Sequence, residues 1–224
     1  MTPTKLLELF RLETDDISEP YLWSDKEFFI YLNEAQEIFV REIGGLSDRR
    51  SSLTRMTYKI GDQFKKYDSR ILRISGAQDE DNKFIGVRNF DNINNAIVDD
   101  YGARFLNTLD DTLTGSLSYI ITDVEAKEIQ LYPIPDTAGS LKLFIKRLPL
   151  NEVKDEDSIL EIADQYHLCL LNWVKYKAFM KQDVETFEGT KAAEFRGAFT
   201  DAIALAKREK ASREDRKRKV AFSW

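Results

Sequence analysis

The stretch Asp164–Lys181 reads DQYHLCLLNWVKYKAFMK and decides how the rest of the chain must fold. Its apolar side chains recur at spacings of three and four residues, and further apolar residues widen this stripe to more than half of the helix circumference. They are Tyr166, Leu168, Cys169, Leu170, Leu171, Trp173, Val174, Tyr176 and Phe179. A helix that is apolar over so much of its surface packs against neighbours on more than one side. The stretch therefore predicts a central helix that needs other helices around it.

A second apolar stripe, in Val184–Lys210, predicts the first of these neighbours. Gln182 and Asp183 form the corner between the two helices, and Asp183 is a suitable N-cap for the second one. Because the connection is short, we expect the two helices to be antiparallel neighbours.

Two helix starts near the N-terminus supply further neighbours. Thr2 is placed as an N-cap with Pro3 at the first helical position, where its missing N–H costs nothing. Ser24 and Glu27 have the spacing of a capping box, in which each satisfies a backbone N–H that the helix start leaves free. Gly44 and Gly45 end this second helix.

The middle of the chain changes to the period of β-strands. The segments that read as short strands are Met56–Ile60, Arg70–Ser75, Leu117–Thr122, Glu128–Tyr132 and Ser140–Lys146. We expect the last three to form an antiparallel meander. Between Gly76 and Gly115 the sequence is polar and rich in Asn and Asp, which predicts a long excursion from the sheet.

These elements predict an α+β fold with a four-helix body built from both chain ends, a β-rich insertion and an extended C-terminal tail. The predicted boundaries place the helical body in residues 1–50 and 151–210. The β-rich insertion occupies residues 51–150, and the tail occupies residues 211–224.

The charge is unevenly distributed along the chain. The net charge is −6, but Lys207–Lys219 holds eight Lys or Arg residues against three acidic ones, which leaves −11 for the remainder. An acidic body with a basic end indicates that the two parts meet different partners. No run approaches the roughly 20 apolar residues of a membrane span, and no signal peptide is evident, so we expect no membrane partner. A single cysteine excludes an internal disulfide.

The residue types needed for catalysis are scarce. His167 is the only histidine, which excludes zinc sites with two histidines and most catalytic triads. No second group is placed to activate Cys169, so we interpret it as a buried structural thiol. The run Asp79–Asn82 lacks the oxygen ligand and the glycine that a calcium loop requires, and no phosphate-binding glycine loop occurs. The sequence therefore predicts no enzyme, no metal and no cofactor.

The C-terminal segment is the candidate binding site. A basic block precedes apolar residues in alternation; the residues are Arg216, Lys217, Arg218, Lys219, Val220, Phe222 and Trp224. Alternation is typical of an extended segment that lays one face into a groove, and tryptophan is a strong interface anchor. The simpler interpretation is a solvated charged end. A nucleic-acid-binding regulator that contacts phosphate through this tail is the alternative function, although the acidic body counts against it.

Several short motifs, in order along the chain, resemble those of a known family. They are TPTKLLELFRLE at Thr2–Glu13, YLWSDKE at Tyr21–Glu27, YLNEAQ at Tyr31–Gln36, LYPIPD at Leu131–Asp136, the pairs Glu161-Ile162 and Tyr166-His167, Trp173, and KQDVE at Lys181–Glu185. With these motifs the chain resembles the head–tail adaptor, or connector, proteins of tailed bacteriophages. The match extends from Met1 to about Lys210, and Gly76–Gly115 departs from the family pattern.

The resemblance implies a structural virion protein without catalysis. It implies a ring, commonly of twelve copies, that joins the portal protein to tail or nozzle proteins at the head–tail junction. DNA would pass through the lumen without specific binding during genome ejection. The protein would be made in the host cytoplasm, and the C-terminal residues listed above would bind the portal.

Overall fold

The chain divides into two compact units. The structure is a computed structural model that describes residues 1–90, 110–155, 158–182 and 187–218, with the side chains of 214–218 left out of the description. Met1–Gly44 and Pro149–Trp224 form one unit, which we call the helical unit, and Gly45–Leu148 forms the other, the β unit.

Both helices of the N-terminal region begin at side-chain caps. Helix α1 spans Pro3–Glu13, and the Thr2 hydroxyl accepts a hydrogen bond from the Lys5 N–H at 3.4 Å. Helix α2 spans Asp25–Glu42. The Ser24 hydroxyl accepts from the Glu27 N–H at 3.3 Å, while the Glu27 carboxylate accepts from the Ser24 N–H at 2.9 Å. These bonds satisfy N–H groups that the first helical turn leaves free, and both predicted helix starts are confirmed.

Helix α3, His167–Phe179, follows a 3-10 turn at Asp164–Tyr166 and packs against α1, α2 and the last helix. This arrangement explains why its apolar residues cover more than one side. Helix α4 spans Gly189–Arg218. It begins later than the predicted Val184, since Phe187 and Glu188 are not helical and residues 183–186 lie outside the described part of the chain.

The tryptophan at the centre of the helical unit is Trp23. Only 2% of Trp23 is exposed, its ring lies 5.6 Å from those of Phe10 and Phe179, and its indole N–H donates to the Ala178 carbonyl at 3.0 Å. Trp173, in α3, is only partly buried and packs against Tyr176 and Phe199. The apolar pattern of Asp164–Lys181 predicts burial of Trp173 between the two antiparallel helices and α2, and this prediction is wrong.

The β unit contains an eight-stranded sheet that curves into a half-barrel. The strands of the unit are β1 Leu46–Asp48, β2 Arg55–Tyr58, β3 Phe64–Lys66, β4 Ile71–Gln78, β5 Phe84–Asn89, β6 Thr114–Gly115, β7 Tyr119–Glu125, β8 Glu128–Tyr132, β9 Ile134–Pro135 and β10 Gly139–Arg147. In the large sheet the order is β1-β10-β4-β5-β7-β8-β3, with β2 also paired to β10. Strands β6 and β9 form a separate pair.

One face of this sheet carries its own apolar core. Alternate residues of β10, namely Leu141, Leu143 and Ile145, are each no more than 2% exposed. They join buried residues from the neighbouring strands; the rest of the cluster is Met56, Ile71, Ile74, Ala77, Ile85, Leu117, Ile120, Ile129 and Leu131. The β unit is thus stabilised by burial within its own strands.

The predicted architecture, a four-helix body with a β-rich insertion and an extended C-terminal tail, is wrong. The strands build a half-barrel with a separate core, so β structure forms one of the two main bodies. The segment from Ala211 is helical as far as Arg218, because no glycine or proline follows Gly197 and the residues are mostly good helix formers. The expected meander is also wrong, since β10 pairs with β1, β2 and β4 rather than with β8.

Candidate interaction surfaces

The C-terminal half of α4 is held against the end of α2. The Lys207 ammonium lies 2.5 Å from the Glu42 carboxylate, and the Lys210 ammonium donates to the Ile43 carbonyl at 2.5 Å. That carbonyl belongs to the C-terminal turn of α2, where helical carbonyls lack intrahelical partners and attract cations. These contacts fix the part of α4 that immediately precedes the basic block.

The sequence-predicted site residues lie at the very end of the chain. Arg216, Lys217 and Arg218 are in the last described turn of α4, and their side chains are outside the described part. Lys219, Val220, Phe222 and Trp224 lie beyond the described residues. Their role in partner binding therefore stays a prediction.

An open groove of about 780 Å³ runs between the start of α3 and the second half of α4. Leu205, 56% exposed, lines it together with Tyr166 and Cys169. The Tyr166 hydroxyl donates to the Glu209 carboxylate at 2.5 Å. Burial raises the pKa of Tyr166, and the hydrogen-bonded Glu209 carboxylate raises it further, so Tyr166 remains a neutral donor. The groove thus combines the exposed apolar side chain of Leu205 with charged side chains such as Arg208 and Glu209.

His167 and Cys169 have structural surroundings. The His167 ring is 3% exposed, with Nε2 2.7 Å from the Ile162 carbonyl oxygen and Nδ1 2.9 Å from that of Met1. The Cys169 thiol donates to the Tyr166 carbonyl at 2.9 Å. Burial raises the pKa of this thiol to about 12, which keeps it in the unreactive protonated form near neutral pH.

A second groove, which the sequence analysis missed, lies in the β unit. It has a volume of about 670 Å³, and four cationic side chains line it: Arg49, Arg50, Arg55 and Lys142. Asp79 and Glu80 also line it. We call it the basic groove. Arg49, Arg50 and Arg55 are visible together in the sequence, but Lys142 joins them only through the pairing of β10 with β2.

The comparison with known families decides where the chain belongs. The family model described as SU10 adaptor protein matches residues 1–221. The chain belongs to this family. A search of curated proteins found no match. The suspected relationship to phage head–tail adaptors is thereby confirmed.

Membership of the SU10 adaptor family makes this chain a phage adaptor protein, a structural component of the virion that associates with other virion proteins. In the described part of this adaptor, no three His, Cys, Asp or Glu side chains are grouped so that they could hold a metal ion. Among the same residues, no helix has both the length and the apolar character to cross a membrane.

Proposed function

We propose that this protein assembles into a ring that joins the portal protein to tail or nozzle proteins and lines the DNA exit channel. The observation that carries the proposal is the family match over residues 1–221. A ring of identical subunits, expected to number twelve, would present the same surfaces repeatedly to the portal on one side and to the tail on the other.

The charge of the helical unit supports passage of DNA without binding. Outside Lys207–Lys219 this unit carries ten Lys or Arg residues against 21 Asp or Glu residues. Tight DNA binding depends on cations that neutralise phosphates and release counterions. A surface with such an excess of carboxylates repels phosphate instead, so a duplex slides past it.

The C-terminal residues are proposed to bind the portal. Arg216, Lys217, Arg218 and Lys219 steer this end of the protein towards an acidic surface and mainly raise the association rate. Val220, Phe222 and Trp224 supply the apolar burial that slows dissociation, with Trp224 as the main anchor. The anchoring of α4 by Lys207 and Lys210 supports this arrangement, because it presents the basic block from a fixed base.

The test is binding of the protein to purified portal rings, measured by surface plasmon resonance and by electron microscopy of the complexes. A chain truncated after Arg213 keeps the ion pair between Arg213 and Glu209, which are 3.5 Å apart, and is expected to melt at an unchanged temperature. It is expected not to bind portal rings. Two full-length variants separate the contributions. Replacing the four basic residues by Gln is expected to slow association, and Phe222→Ser with Trp224→Ser is expected to speed dissociation.

Three results would count against the proposal in different ways. If the truncated chain binds portal rings as tightly as the full chain, the C-terminal residues do not contribute to portal binding. Absence of any ring on portal particles mixed with the full chain would contradict the adaptor ring itself. Binding to a fluorescent DNA duplex with a steep salt dependence would favour a nucleic-acid-binding role.

A further inference from the structure

The outer face of the sheet around β10 is basic. Ser140, Lys142 and Phe144 alternate with the buried residues of this strand, so they point away from the core. The register places Lys142 directly opposite Arg55 of β2. The Arg49 guanidinium lies over the Phe144 ring at 4.2 Å from its centre. Three cations therefore converge on one side of the sheet, where they line the basic groove with Arg50.

Among the described residues, the cations of the basic groove belong to those β-unit cations that have no ion pair. In the described part of the chain, the side chains of Arg49, Arg50, Arg55 and Lys142 form no ion pair, whereas Lys65, Arg70 and Arg147 are each paired with a nearby aspartate. Like charges directly opposite each other on antiparallel strands destabilise the sheet. Residues that break a local rule in this way are expected at functional sites. Asp79 and Glu80 also line the groove but form no ion pair with these cations among the described residues, so the cations are available to an acidic partner.

The groove favours an acidic protein segment over nucleic acid. The carboxylates of Asp79 and Glu80, which also line the groove, would repel a continuous line of phosphates more strongly than a peptide whose carboxylates are fewer and spaced apart. Hydroxyl groups of Thr54, Thr57 and Ser140 add hydrogen-bonding groups between the cations. Phe84, which is 71% exposed and packs edge-on to Phe144, extends the surface with an apolar edge.

The chain itself contains a segment of matching charge. Residues 151–158, which we call the acidic connector, read NEVKDEDS and carry four acidic residues against one lysine. Its described residues are in neither a helix nor a strand, and the Glu152 side chain is 73% exposed. It holds the densest run of acidic residues in the helical unit. Charge complementarity therefore points to a second copy of this chain as the source of the partner.

We infer that the basic groove of one copy binds the acidic connector of a neighbouring copy. The inference rests on the proposed ring and names the contact that closes it. Groove and connector are different surfaces, so a head-to-tail contact between them is heterologous. Repeating it gives a ring where the rotation from copy to copy closes, as the proposed function requires. Each copy offers both surfaces once, which leaves none unpaired in a complete ring.

The inference is tested by a charge exchange in the full chain. The groove variant combines Arg55→Glu with Lys142→Glu, and the connector variant combines Glu152→Lys with Asp155→Lys. Sedimentation velocity over a concentration series, at low and at high salt, measures self-association. The wild type is expected to associate more strongly at low salt than at high salt. At low salt, each variant alone is expected to associate at least about tenfold more weakly than the wild type. An equal mixture of the two variants is expected to recover association. The acidic groove of one variant then meets the basic connector of the other, and the unchanged basic groove meets the unchanged acidic connector.

A matched control changes the same charges elsewhere in the β unit. Lys59→Glu with Lys66→Glu alters two exposed lysines that do not line the groove, and β3, which holds Lys66, is at the far end of the sheet from β10. This control is expected to associate like the wild type, and circular dichroism melts establish that every variant is folded.

Three results would overturn the inference. The first is unchanged association of the groove variant, and the second is failure of the mixture to recover association when all variants are folded. The third is a wild type that binds portal rings yet shows no self-association at low salt. This result would exclude the contact between the basic groove and the acidic connector without contradicting the adaptor role. Loss of binding to a fluorescent DNA duplex in the groove variant, with self-association retained, would assign the groove to nucleic acid instead.

Discussion

Replacement of Trp23 by alanine should be among the most damaging single changes in the helical unit. Its side chain is almost fully buried between Phe10 and Phe179, and its indole N–H bonds the Ala178 carbonyl in the last turn of α3. Deleting a buried tryptophan costs about 3–5 kcal/mol through lost burial and the remaining cavity. Loss of the hydrogen bond contributes about 1 kcal/mol to this cost.

Trp173 provides the matched comparison. It is the same residue type in the same unit, but it is partly buried, and among the described residues its ring contacts those of Tyr176 and Phe199, at 5.0 and 5.3 Å. Its replacement by alanine is expected to cost about 1–2 kcal/mol, because less apolar area returns to water. Trp23→Phe keeps most of the burial and isolates the loss of the hydrogen bond to Ala178.

The measurement is denaturant unfolding followed by the helical circular dichroism signal, since fluorescence would change with every tryptophan removed. The expected order of destabilisation is Trp23→Ala, then Trp173→Ala or Trp23→Phe. A domain with a total stability of about 5–15 kcal/mol would lose a large fraction of it with Trp23→Ala. A greater loss from Trp173→Ala than from Trp23→Ala would refute the position of Trp23 at the centre of this core.

Two further predictions concern titratable groups. Burial alone would raise the pKa of Asp48, but the Arg50 N–H and the Arg147 guanidinium outweigh it and hold this pKa well below its ordinary value. The stability that Asp48 contributes is therefore present above about pH 4 and lost as the pH falls further. Asp48→Asn should lower the melting temperature at pH 7, and the melting temperature of this variant should fall less than that of the wild type as the pH is lowered below about 4. Cys169, with its pKa raised to about 12, should react with a thiol reagent at pH 8 far more slowly in the folded protein than in denaturant. Equal rates in the two states would show that the thiol is exposed and ionised.

The parts of the fold that the sequence predicted are those fixed by local chemistry. The caps at Thr2 and Ser24 are contacts between residues three apart, so their spacing is visible in the sequence. The central position of α3 follows from an apolar surface too broad for one neighbour. The strand Glu128–Tyr132 was predicted with the bounds that the structure gives, because turn residues mark both of its ends.

The parts that the sequence did not predict depend on pairing between distant residues. No local signal shows that β10 lies between β4 and β1, or that β5 and β7 are parallel. The basic groove has the same origin, since Lys142 lies opposite Arg55 only through the pairing of β10 with β2. For the C-terminal segment, charge and alternation favour an extended tail, whereas the helical propensity of the preceding residues continues the helix to Arg218.

The pairing of the first and last strands of the β unit bears on how such proteins can be rebuilt. Leu46 in β1 lies opposite Arg147 in β10, so the chain enters and leaves this unit at neighbouring points of one sheet edge. A segment whose two ends meet can be exchanged as a cassette, because the flanking chain needs only a short turn to close the gap. Residues 45–148 could thus be exchanged in one step for another segment whose ends meet, while the sequence of the helical unit stays the same.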